Sequence, residues 1–78
     1  MDSAQFKWAR GQLGLSIDQL SEIIDVNQKT IRIWERGDRN PHPTAGRVMG
    51  WMLNGFRPDE FPETPRYPPT AEPGAAGG

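Results

Sequence analysis

Cysteine is absent from this 78-residue chain, which excludes a disulfide framework and any thiolate metal site. Histidine occurs once, as His42 between two prolines, and reads as a helix cap or a phosphate neighbour rather than as a base. No serine or carboxylate pair has a recognisable catalytic setting, and there is no glycine-rich phosphate loop and no cluster of metal ligands. The expectation is therefore a protein that is not an enzyme and needs no cofactor. No apolar run is long enough to span a bilayer. The start Met1-Asp2-Ser3 is polar, with no long apolar segment behind it, so it does not read as a secretory signal and a cytoplasmic setting is expected.

An excess of positive charge is missing as well, since the net charge is -1. Its distribution is uneven. Between Asn27 and Arg47 stand Lys29, Arg32, Arg36, Arg39 and Arg47, against only Glu35 and Asp38. The other acids lie before this stretch (Asp2, Asp18, Glu22, Asp25) or after it (Asp59, Glu60, Glu63, Glu72). A local basic surface matters more for phosphate binding than the global sum. The chain length suits one small domain with a limited core.

The organising stretch is Ser16 to Gly37, which reads as two short helices joined by a tight turn. Ser16 and Gln19 form a capping box, in which each side chain serves the other's backbone amide. Leu20, Ile23 and Ile24 supply an apolar face at helical spacing. Ser21 is small where the second helix passes close to the first. Asp25 tolerates the left-handed conformation that a tight turn requires. Val26 anchors the turn inward, and Asn27 caps a second helix, Gln28 to Arg36. Ile31 and Trp34 face the core, and Gly37 stands just past the helix end.

Leu13-Gly14-Leu15-Ser16, then Asp25-Val26-Asn27, then Trp34-Glu35-Arg36-Gly37 with Arg39 and Pro41 beyond, form an ordered series at fixed spacing. The series resembles the helix-turn-helix of the Cro/C1-type (XRE-like) DNA-binding domains over about residues 5 to 54. Asp25 stands where glycine is usual, and Ser21 where alanine is usual. Ile17 replaces a polar residue, often glutamine, that frequently supports base contacts in that family. The resemblance implies an all-α fold, a compact lambda-repressor-like bundle of four to five short helices. It also implies a partner for Arg10, which sits inside the apolar stripe of the first helix. In the family that partner is the glutamate of the Trp-Glu segment, here Glu35. The alternative is an Arg10 that is solvated on the flank.

Around this motif, residues 3 to 13 read as a helix capped by Ser3, with Phe6, Ala9, Arg10 and Leu13 as its stripe and Gly14 ending it. The position of Trp8, at the domain edge or in solvent, stays open. The loop of residues 37 to 43 leads into a helix with His42 as cap and Pro43 in its first turn. That helix should run to Leu53 with Ala45, Val48, Met49 and Met52 on one face and Trp51 to its side. Gly46 and Gly50 suggest close packing, since each costs helix stability. Gly55 stops the helix, Phe56 follows the stop, and Pro58 opens a possible single turn. From Glu63 to Gly78 the chain is rich in Pro, Gly and Ala. It reads as a flexible tail after a domain of residues 1 to 62, with a polyproline-like stretch from Pro65 to Pro69 as a further option.

The outer face of the second motif helix should carry Gln28, Lys29, Arg32 and Ile33, with Thr30 near its edge. An α-helix fits the major groove, where glutamine suits adenine, lysine suits guanine and an apolar group suits the thymine methyl. Ser16, Arg36, Arg39 and Asn40 stand where backbone contacts would fall. The expected function is a sequence-specific regulator of double-stranded DNA. By resemblance it is of the compact phage or mobile-element kind, Cro-like or anti-CRISPR-associated, repressing from a palindromic operator in a bacterial cell or phage-infected host. The alternative is an antitoxin that binds a protein partner through Trp51, Phe56, Phe61, Tyr67 and the C-terminal segment as well as its operator. A homodimer is expected, with Gly50, Trp51, Leu53, Phe56 and Phe61 at the interface. Against that placement, Phe56 and Phe61 could fold back over Trp51 within one chain.

Overall fold

Short-range signals set each helix end. Asp2, not Ser3, caps the first helix, α1 (Ser3–Gln12): its carboxylate accepts from the Gln5 amide at 2.8 Å, and the Gln5 side chain accepts from the Asp2 amide at 2.9 Å. The reciprocal box through Gln5 satisfies two amides, and Ser3 has no glutamine or glutamate three residues on to match it. Helix α2 (Ile17–Ile24) begins with the same device on Ser16 and Gln19, at 3.0 and 2.9 Å. It ends at Asp25, which is left-handed at φ 58°. Helix α3 (Gln28–Arg36) is capped by Asn27, whose side chain accepts from the Lys29 amide at 2.8 Å, and it stops at Gly37. Helix α4 (Pro43–Leu53) opens on His42, whose Nδ1 accepts from the Thr44 amide at 3.1 Å. A single 3-10 turn, Pro58–Glu60, follows.

This computed structural model describes residues 1–67. Among them the regular structure is entirely helical. Helix α1 packs against α3 and α4, and α2 packs against α3. The core gathers Phe6 and Ala9 from α1, Leu20 and Ile24 from α2, Val26 from the turn, Ile31 and Trp34 from α3, and Ala45, Val48, Met49 and Met52 from α4. Phe6 meets Trp34 edge to face, with ring centroids 5.6 Å apart. Such a pair adds about 0.5–1.5 kcal/mol beyond burial. Among the described residues no helix is long and apolar enough to cross a membrane.

Packing does not stop at residue 62. Glu63 pairs with Arg47 at 2.6 Å, the Thr44 hydroxyl donates to the Arg66 carbonyl at 2.8 Å, and the Tyr67 ring lies against His42 with centroids 5.6 Å apart. Residues 63 to 67 thus make contacts with the first half of α4 and its cap. The remainder of the expected tail, and the end of the Pro65 to Pro69 stretch, lie outside the described residues. The two glycines of α4 also differ. A Cβ on Gly46 would come within 3.2 Å of Met1, whereas one on Gly50 would meet nothing within 4 Å.

Candidate nucleic-acid interface

Helix α3 divides into two faces. Thr30, Ile31 and Trp34 are buried, while Lys29, Arg32 and Arg36 are exposed and Gln28 and Ile33 are half-buried. Thr30 leaves the set of candidate base contacts: it is 0% exposed. The helical turn of about 100° per residue places it within about 40° of the buried Trp34. Gln28, Lys29, Arg32 and Ile33 stay together on the outward side.

Two contacts hold α3 against its neighbours. The Ser21 hydroxyl donates to the Val26 carbonyl at 2.6 Å, which ties α2 to the turn that launches α3. The left-handed Asp25 lets the chain reverse there without a glycine. On the other side Arg10 meets Glu35 at two points: Nε donates to Oε2 at 2.7 Å and Nη2 donates to Oε1 at 2.8 Å. Nη1 also donates to the Leu15 carbonyl at 3.0 Å. The hydrogen bond to Glu35 is the main cause that raises the pKa of Arg10 above its usual value, against the opposing effect of desolvation. A fork-to-fork contact fixes geometry as well as charge, so α1 and α3 are held in one orientation.

The outer face carries its own connections. Gln28 Nε2 donates to the Asp18 carboxylate of α2, and Arg32 Nη2 donates to Gln28 Oε1 at 3.3 Å. In the sequence Asp18 is only one of the acids outside the basic stretch. Its contact spans ten positions of the chain, and only the packing of α2 on α3 creates it. Ile17, one residue earlier, is half-buried against the core and does not take part.

The candidate phosphate contacts differ in how free they are. Arg36 is engaged by Asp38, at 2.7 Å from Nη2, in a pair that is largely solvent-exposed. Such a pair is weakly held and can exchange for a phosphate. Arg39, Asn40 and Ser16 are exposed, and the Ser16 oxygen accepts the Gln19 amide in its capping role. Among the described residues no ion pair engages Lys29, Arg32 or Arg39. This leaves a cationic edge around an amide and an aliphatic side chain, the composition expected of a surface that meets phosphates and base edges together.

The candidate dimer residues do not form one open patch. Trp51 is half-buried and packs against Phe61, with centroids 5.3 Å apart and planes tilted by 43°. Phe61 thus folds back within the chain. Phe56 does not follow it: its amide donates to the Trp51 carbonyl at 3.0 Å, but its side chain is 42% exposed. Leu53 is 38% exposed and Gly50 is open. Trp8 is 59% exposed on α1. Compared with known proteins, residues 6–45 match the model of a family described as helix-turn-helix. No curated protein and no solved structure matches the chain.

Proposed function

Because the chain belongs to the Cro/C1-type helix-turn-helix family, whose members are DNA-binding transcription regulators, we propose that it acts as a sequence-specific repressor on double-stranded DNA, binding a palindromic operator as a homodimer. The observation that carries this reading is the outward face of α3. Gln28, Lys29, Arg32 and Ile33 share it, while the opposite face is locked into the core by Ile31 and Trp34. A rigid helix that presents an amide, two cations and one aliphatic group suits readout in the major groove. Ser16, Arg36, Arg39 and Asn40 would contact the sugar-phosphate backbone and set the register.

A single recognition helix reads few base pairs, so two copies on half-sites about 34 Å apart are needed for useful specificity. Leu53 in the last turn of α4 and Phe56 just after it are both exposed and support an interface at the end of α4, with Gly50 offering close approach. Trp51 and Phe61 would flank that interface as a pair already packed together. Large apolar side chains left exposed near a helix end can serve an association surface. The decisive experiment is selection of bound sites from random duplex DNA, followed by sedimentation of the protein on the selected site. A selected palindrome bound by two copies is the expected outcome. No enriched sequence would refute the reading.

A further inference from the structure

Gln28 lies between two groups of opposite and fixed character. On one side the Asp18 carboxylate only accepts, and it takes a hydrogen bond from Nε2. On the other the Arg32 guanidinium only donates, and it gives one to Oε1 at 3.3 Å. A side-chain amide can normally rotate end for end at little cost. Here rotation would set Oε1 against a carboxylate and Nε2 against a guanidinium, which turns two attractions into two repulsions. The polarity of the amide is thus fixed before any ligand arrives. One N–H of Nε2 and one lone pair of Oε1 remain, because each atom has spent half of its capacity.

We propose that Asp18 is a positioning residue that sets the base preference of Gln28. The inference rests on the reading of α3 as the recognition helix, and it deepens that reading. The remaining donor and acceptor match adenine, whose N7 accepts and whose N6 donates, in one orientation only. The donor end must face the Asp18 side and the acceptor end the Arg32 side. An amide of fixed polarity therefore distinguishes the base pair from its reverse, adenine on one strand from adenine on the other. An amide free to rotate distinguishes them less. Asp18 touches no base in this scheme. Its role as an acidic residue in the first turn of α2 is separate, and would show only in stability.

The test compares wild type with Asp18→Asn, which keeps the shape but can donate as well as accept. Site selection on wild type and on Gln28→Ala first identifies the base pair that Gln28 reads, as the position whose preference Gln28→Ala removes. At that pair, Asp18→Asn should reduce the preference for the selected base pair over its reverse by about fivefold or more, with other positions unchanged. In the Gln28→Ala background the same substitution should change nothing at that position. Independently of DNA, the two Nε2 proton resonances of Gln28 should lie far apart in wild type and draw together in Asp18→Asn. An unchanged base preference in Asp18→Asn overturns the proposal, as does a uniform gain in affinity for all sequences, which would be a charge effect alone. A wild type that selects no sequence overturns the recognition reading itself, and the proposal with it.

Discussion

Arg10 and Glu35 stand 25 positions apart in the chain and meet in a two-point contact of 2.7 and 2.8 Å. The pair joins the first helix to the end of the third. Glu35 keeps 8% of its side-chain exposure and Arg10 keeps 20%, so neither charge can be fully rehydrated without opening the domain. The third guanidinium nitrogen is spent on the Leu15 carbonyl, just before the α2 cap. One side chain thereby fixes the relation among α1, the start of α2 and α3.

Glu35→Ala should cost about 3 kcal/mol, toward the low end of the range for breaking a buried pair because Arg10 retains some solvent. In a small domain this is a large share of the total stability. Thermal and urea denaturation will measure it. An unchanged melting temperature would show that the contact contributes nothing.

Gln28→Ala and Lys29→Ala should each lose about 1–3 kcal/mol on the selected site and little on random duplex. Arg39→Ala should weaken binding to both and reduce the salt slope by about one. Fluorescence anisotropy titrations across a salt series separate the two behaviours. Equal losses on both DNAs for Gln28→Ala and Lys29→Ala would remove base readout from the start of α3.

Thr30→Val should leave base preference unchanged and hold or raise stability by up to about 1 kcal/mol. The Thr30 hydroxyl is buried with no hydrogen-bond partner, and valine has the same shape without the unsatisfied group. A change in the selected sequence would return Thr30 to the interface.

Leu53→Glu combined with Phe56→Glu should leave the monomer folded and abolish the dimer, because both side chains are exposed in the single chain. Trp51→Glu should instead lower stability, since it removes the ring contact with Phe61. Sedimentation with and without the palindromic site, paired with circular dichroism, reads both effects. A Leu53→Glu/Phe56→Glu protein that remains dimeric would move the interface elsewhere, with the exposed Trp8 as the next surface to test.

Features that act within about one helical turn are legible in the residues alone. The Ser16–Gln19 box, the left-handed Asp25, the Asn27 and His42 caps and the stop at Gly37 each depend on groups two to five residues apart. Hydrophobic spacing marked Phe6, Leu20, Ile31, Trp34, Val48 and Met49 as core for the same reason, because the helical period is local. The Arg10–Glu35 contact was legible only through the family pattern, since nothing in the spacing of two residues so distant in the chain dictates that they meet. Where the period is ambiguous, at the edge of a face, helix packing sets the outcome. Thr30 went inward and Ile33 stayed half-exposed because α1 and α2 fix the rotation of α3 about its axis. Trp51 found Phe61 rather than Phe56, residues 63 to 67 made contacts with the first half of α4 and its cap, and Asp18 reached Gln28 across the α2–α3 contact. Each of these joins segments whose relative placement is set by how the helices pack, and no local propensity encodes that.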